Sequence, residues 1–118
     1  MTKSPLPIVA LSSGDPAGIG PELCMKAALS SDVTSICRPV IYSDLQVLTC
    51  HAEACGIGIQ LDGYKTVADI DWSSSKVKFI ELDLFSAKKF SIGKINRENG
   101  RASVECGAAA IQAAIDGY

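Results

Sequence analysis

The chain has 118 residues, of which 47% are hydrophobic and 20% charged, a composition typical of one globular domain and not of a disordered tail. Its formal net charge of −2 offers no basic excess for nucleic acid or an anionic membrane. No apolar run approaches a membrane span, and prolines interrupt the N-terminal stretch that a signal peptide would need. We therefore expect a cytoplasmic protein with neither nucleic acid nor a membrane as partner.

The first predicted elements are a strand and a helix. Residues 7–13 (PIVALSS) form a short apolar run bounded by proline and glycine, which is the pattern of a buried parallel strand. A helix is predicted over residues 21–30, because proline suits the first turn of a helix and an acid follows it there. Leu23, Ala27, Ala28 and Leu29 are expected on the inward face of this helix.

A second strand and a second helix follow. Residues 38–44 (RPVIYSD) predict the strand, and residues 45–55 predict a helix that Asp44 caps and Gly56 ends. Apolar residues recur at helical spacing along this helix, and those expected to face the core are Leu45, Val47, Leu48, Ala52 and Cys55.

The second half of the chain has a weaker pattern. The pattern predicts a short strand over residues 56–61 and a surface connection over 62–76. It predicts a further strand over residues 76–82, in which apolar residues alternate with lysines. Residues 83–99 show no steady period and are expected to cross the surface. Residues 100–118 predict a last helix, and alternating strands and helices indicate an α/β fold with a parallel sheet. The expected inward face of the last helix is Val104, Ala108, Ile111 and Ile115.

The most informative stretch is residues 14–22 (GDPAGIGPE), between the first strand and the first helix. Such a turn exposes main-chain N–H groups at a helix start, and its glycines let a ligand approach the backbone closely. The spacing fits neither the dinucleotide fingerprint GxGxxG nor a Walker loop. Asp15 and Glu22 flank the turn without a cation, which disfavours phosphate. The turn therefore suits hydroxyls, a neutral part of a cofactor or local structure, with Asp15 expected to cap the helix amides.

Five cysteines, at positions 24, 37, 50, 55 and 106, show no CxxC spacing and are expected to be free, buried and apolar in character. Cys50, His51 and Cys55 could form part of a metal site, but on a helix the neighbouring residues Cys50 and His51 point about 100° apart. A thiol-based redox or metal-binding protein is thus a third hypothesis that only the cysteine count supports, and we expect no bound zinc.

The string GDPAGIGPE, together with PIVALSS, PVIYSD and NGRASVECGAAAIQAAI, resembles the first third of the 4-hydroxythreonine-4-phosphate dehydrogenases of pyridoxal phosphate (vitamin B6) biosynthesis. It also looks like an expanded form of GDGIGPE, which opens the isocitrate and isopropylmalate dehydrogenases. The resemblance implies a three-layer α/β sandwich of that type. It further implies that residues 1–118 are the N-terminal α/β portion of a longer, homodimeric two-domain enzyme with its site in the cleft.

The implied reaction is NAD-dependent (or NADP-dependent) oxidation and decarboxylation of a phosphorylated hydroxy acid, assisted by a divalent metal such as zinc, magnesium or cobalt. By this resemblance Gly18 and Ile19 are the candidate cofactor contacts. The catalytic and metal-binding residues belong to later segments, so we expect the 118-residue chain alone to be inactive. Lys94 and Arg101 are interpreted as surface cations.

The alternative hypothesis is a non-catalytic α/β binding module that retains the glycine turn only as structure. The resemblance also leaves the substrate open within the family, because phosphorylated threonate or erythronate and aromatic dihydrodiols remain candidates. Nothing in the sequence selects among them.

Overall fold

The computed structural model describes residues 6–83 and 97–117, which form a four-stranded parallel sheet between helices. The strands are β1 (Ile8–Ser12), β2 (Arg38–Ser43), β3 (Leu61–Tyr64) and β4 (Val77–Glu81), in the spatial order β1-β2-β4-β3. The helices are α1 (Gly20–Leu29), the short α2 (Ser31–Thr34), α3 (Leu45–Cys55) and α4 (Arg97–Ile115), with a 3₁₀ turn at Val67–Asp69.

Two apolar clusters, one on each face of the sheet, make the fold a three-layer sandwich. Alternation along β2 explains the division, since Ile41 packs with α1 and α3 while Val40 and Tyr42 pack with α4 and the 3₁₀ turn. This confirms the predicted α/β class and sandwich. In the described part of the chain no helix is both long and apolar enough to cross a membrane.

The strand predictions are confirmed for β2 and β4 and need correction for the other two. β2 is the deeply buried strand, with its last four residues inside, whereas β1 lies at an edge of the described sheet and is only half buried. The third strand is Leu61–Tyr64 and not residues 56–61, because Ile57 and Ile59 pack against the first cluster outside any strand. The helix α2 was not predicted. The surface path predicted for residues 83–99 falls mostly on positions outside the described residues.

The lysine of β4 does not face solvent, although alternation with apolar residues is typical of an exposed side chain. Lys78 is buried, and its Nζ donates hydrogen bonds to the carbonyl oxygens of Ser74 (2.8 Å) and Lys76 (2.7 Å). The same Nζ lies 3.5 Å from Asp62 Oδ2 on β3. A buried ammonium is stable only with such partners, so these contacts fix the amino end of β4 beside β3.

The predicted inward face is wrong for α4 and only partly right for α1. On α1 Ala28 is buried as predicted, together with Pro21, Cys24 and Met25, whereas Leu23 is 54% exposed and Leu29 is also exposed. On α4 the side facing the sheet is small, made by Cys106, Ala109, Ala110 and Ala113. The outward side of the helix carries an exposed aliphatic stripe, in which Ile111 is 63% exposed. The members of this stripe are Val104, Ala108, Ile111 and Ile115.

The predicted helix over residues 45–55 is confirmed, and its end is as expected. Gly56 adopts φ 67° and its N–H, with that of Ile57, bonds back to the last turn. Val47, Leu48 and Ala52 face inward as predicted, but Leu45 and Cys55 are exposed, and His51 occupies a buried position that the pattern did not assign.

The orientation of α4 predicts different effects on stability for substitutions at two adjacent residues. Ala110→Gln places an amide against the sheet and should lower the free energy of unfolding by roughly 2 kcal/mol. Ile111→Gln should change it by no more than about 0.5 kcal/mol, because the side chain already faces solvent, and should reduce association. Denaturant titration and light scattering measure these effects. A larger loss for Ile111→Gln than for Ala110→Gln would contradict the described orientation.

Candidate functional site at the glycine turn

The turn between β1 and α1 is fixed by its own hydrogen bonds. Gly14 takes φ 69°, a conformation that favours glycine, and the Gly18 N–H donates to the Asp15 carbonyl oxygen at 3.0 Å. The Asp15 carboxylate accepts a hydrogen bond from Ala17 N–H at 2.8 Å. Asp15 therefore has the structural role predicted for it, but it caps the turn and not the helix.

Gly20 is required because the start of α1 lies directly on the end of β1. A Cβ built at Gly20 would lie 1.8 Å from the Ser13 carbonyl oxygen, a separation that no side chain tolerates. Gly18 is different, since its nearest neighbour would be the Asp15 carbonyl oxygen at an ordinary 3.5 Å. Steric contact therefore requires a glycine at position 20. It does not require one at position 18, so Gly18 can serve another purpose.

The start of α1 has no side-chain cap. Ile19 occupies the N-cap position, and the hydrogen bond from Leu23 N–H to the Ile19 carbonyl oxygen (3.1 Å) opens the helix. Pro21 has no N–H, so the N–H groups of the first turn without a helical acceptor are those of Gly20 and Glu22. Ile19 is 71% exposed, so an apolar side chain stands beside these amides.

Helix α3 holds the turn from the inside. His51 is 2% exposed, and its Nε2 is hydrogen-bonded to the Pro16 carbonyl oxygen, so the proton lies on Nε2. One helical turn later, the Cys55 thiol is hydrogen-bonded to Glu22, which lowers the pKa of Glu22 and raises that of Cys55. Lys26 Nζ, 3.6 Å from Glu22 Oε2, lowers the pKa of that carboxyl further.

A buried polar group lies beside the turn at the carboxyl ends of β1 and β2. Ser13 Oγ donates to the Tyr42 carbonyl oxygen at 3.1 Å and lies 3.7 Å from Cys106 Sγ. Burial raises the pKa of Cys106, and the charge of the buried Asp44 raises it further. Asp44 stands at the N-cap position of α3 as predicted but makes no capping bond from its side chain there.

Glu81 supplies that cap instead. Its two carboxylate oxygens accept hydrogen bonds from Leu45 N–H and Asp83 N–H, each at 2.8 Å. A groove of about 710 Å³ opens next to it between the ends of β3 and β4, and Lys65 lies on its wall. Because Glu81 is occupied by main-chain amides, we assign it a structural role at this groove.

The three residues considered as part of a metal site do not lie together. His51 faces the glycine turn, while Cys50 and Cys55 are exposed. Over residues 6–83 and 97–117 no three side chains of His, Cys, Asp or Glu are grouped closely enough to hold a metal ion. Cys24, Cys37 and Cys106 are buried as expected, and Cys50 and Cys55 are not. Arg101 is exposed, as predicted, and Lys94 lies outside the described residues.

The fold and this turn define the class as an α/β protein whose candidate ligand site lies at the carboxyl edge of a parallel sheet. No protein-family model matches the chain. It is 27% identical over 111 residues to the "Putative D-threonate 4-phosphate dehydrogenase" of Symbiobacterium thermophilum, covering 94% of this chain and 33% of that protein.

Solved structures agree with this relationship at the level of the fold. The 4-hydroxythreonine-4-phosphate dehydrogenase of Burkholderia phymatum matches with a TM-score of 0.87 and 22% identity, over 97% of this chain and 34% of that one. That of Klebsiella pneumoniae gives 0.78 and 23%, with the same coverage. The chain is a distant homologue, over most of its length, of the N-terminal portion of 4-hydroxythreonine-4-phosphate and D-threonate 4-phosphate dehydrogenases. It spans about a third of their length.

Two glycine substitutions test the geometry of the turn. Gly20→Ala should lower the free energy of unfolding by roughly 3 kcal/mol or more, because the strand end and the helix start must separate. Gly107→Ala, on α4, meets nothing within 4 Å and should raise it by about 0.5–1 kcal/mol through helix propensity. Urea titration of both variants provides the measurement, and equal effects would refute the close approach.

Thiol labelling tests the burial of the cysteines. Burial raises the pKa of Cys24 to about 11, so near pH 8 only about one thiol in a thousand is ionised there, and Cys106 is shifted in the same direction. We expect maleimide to modify Cys50 and Cys55 first, and Cys24 only after unfolding. The stability that Cys24 contributes is complete below its ordinary pKa of 9.0 and is lost as the pH rises through about 11. Peptide mass mapping with and without denaturant distinguishes the sites; early labelling of Cys24 in folded protein would contradict its burial.

Proposed function

We propose that this chain is the N-terminal α/β portion of an NAD-dependent dehydrogenase that oxidises and decarboxylates a phosphorylated hydroxy acid. The observation that carries the proposal is the uncapped start of α1 at the carboxyl edge of the sheet, in a distant homologue of such dehydrogenases. The substrate proposed is 4-hydroxythreonine 4-phosphate, as in pyridoxal phosphate (vitamin B6) biosynthesis, or a related acid such as D-threonate 4-phosphate.

The proposed cofactor contacts are Gly18 and Ile19. The N–H groups of Ala17 and Gly18 already donate to Asp15, so Gly18 would contribute a close approach of its backbone to the ligand. The uncapped N–H groups at the start of α1 would donate to a carbonyl or hydroxyl oxygen, and the exposed Ile19 would contact an apolar surface of the bound nucleotide. Glu22 makes a phosphate a poor occupant, because its carboxylate is ionised at neutral pH and Lys26, 3.6 Å away, is already paired with it. The turn therefore fits a neutral part of NAD, and nothing in it selects NADP.

The described residues do not fit a divalent metal, because they bring together no suitable group of ligands. We propose that any metal of the intact enzyme is held by segments outside these 118 residues, which would also supply the catalytic groups. The role left for this chain is to bind and orient the cofactor. We propose further that the intact enzyme is a cytoplasmic homodimer; the exposed aliphatic stripe of α4 is the feature that supports burial against further protein.

A non-catalytic binding module is the second candidate. The observation that favours it is Gly20, whose presence steric contact with Ser13 explains without any ligand. The two candidates differ in turnover, since a module would bind a nucleotide or a partner but form no NADH.

The reaction is tested by assaying the intact protein with NAD, a divalent metal and either phosphorylated acid. We expect NADH to form, and Ile19→Ala to raise KM for NAD about tenfold through lost apolar contact. Gly18→Ala should also raise it while leaving the melting temperature unchanged, because its methyl group meets only ordinary contacts.

Leu29→Ala is the matched control, since it removes an exposed leucine at the opposite end of α1. Its KM should equal that of the unmodified protein. If no substrate yields NADH, the dehydrogenase proposal fails. If NADH forms but neither turn variant changes KM for NAD, the assignment of Gly18 and Ile19 fails alone.

A further inference from the structure

His51 belongs to α3 but bonds to the glycine turn. It is the only histidine of the chain, and it reaches across 35 positions of sequence to the carbonyl oxygen of Pro16. Both groups are buried. A buried carbonyl without a donor is strongly unfavourable, so the imidazole N–H fixes where this part of the turn can lie.

A second contact from the same helix holds the other end of the turn. Cys55 follows His51 by four positions, which places both on one face of α3, and its thiol lies close enough to Glu22 to lower the pKa of that carboxyl. Pro16 precedes the candidate cofactor contacts Gly18 and Ile19, and Glu22 follows them. The segment between, in which Ile19 is the exposed residue, therefore has a contact with α3 at each of its ends.

The two contacts differ in strength. The bond from His51 is enclosed by protein, whereas Cys55 and Glu22 lie at the surface, where water competes for both groups. His51 is therefore the group whose loss should change the position of the turn most. Its side chain lies behind the turn, so it acts on a ligand only through the main chain of residues 16–19.

We propose that His51 is a positioning residue that sets the direction of the Gly18 and Ile19 main-chain groups for the cofactor. This inference rests on the proposed dehydrogenase function. A bound ligand depends steeply on such placement, since a shift of about 1 Å can change rates by about a hundredfold. His51 contacts neither cofactor nor substrate.

The test compares two replacements of His51 in the intact protein. Glutamine can place an amide N–H near the position of the imidazole Nε2, whereas leucine fills a similar volume without a donor. We expect His51→Leu to raise KM for NAD at least tenfold with kcat changed by less than about threefold. His51→Gln should restore KM to within about threefold of the original value.

A control variant on the same helix distinguishes the proposed positioning role of His51 from a purely structural one. Leu48→Ala removes a fully buried side chain from the core beneath α3 and should lower the melting temperature clearly. It should leave KM for NAD unchanged in the folded protein. An equal rise of KM in Leu48→Ala, or an unchanged KM in folded His51→Leu, would overturn the inference.

Hydrogen exchange provides a measurement that does not need activity. The amide hydrogens of residues 17–20 should exchange faster in His51→Leu than in His51→Gln or Leu48→Ala. If His51→Leu does not fold, His51→Asn replaces it, because the shorter side chain cannot reach Pro16. If the unmodified protein forms no NADH, the proposed function fails, and equal exchange in all variants would separately refute the role of His51.

Discussion

The contact between two stretches of main chain, at Ser13 and Gly20, is the constraint on which the arrangement depends. It allows the chain to reverse from strand to helix with no side chain between them, so α1 begins against the end of β1. The helix start is then exposed at the carboxyl edge of the sheet, where ligands of parallel α/β proteins bind. The bonds from α3 and the hydrogen bonds of Asp15 hold a geometry that this contact first makes possible.

The sequence predicted those features that are encoded locally. Glycine and proline at residues 14–22 indicated the turn, Gly56 marked the end of α3, and the apolar run in residues 38–44 indicated the second strand. Each of these depends on backbone preferences within a few neighbouring residues, so the local sequence is enough to predict them.

The sequence failed where large and small apolar residues compete for the inward face. On α4 the periodic valine and isoleucines were predicted to face the core, yet alanines and Cys106 do so. Small side chains let the helix lie close to the sheet, and periodicity alone does not reveal which apolar face meets which surface. His51 was missed for a related reason, since its partner lies on another element and no local pattern connects them.

The strand order β1-β2-β4-β3 has a consequence for how this sheet is assembled during synthesis. β3 is made before β4, but in the described sheet its one strand neighbour is β4. β3 therefore has no strand partner in this sheet until residues 77–81 have been made. The ion pair between the buried Lys78 on β4 and Asp62 on β3 can likewise form only after both strands have been synthesised.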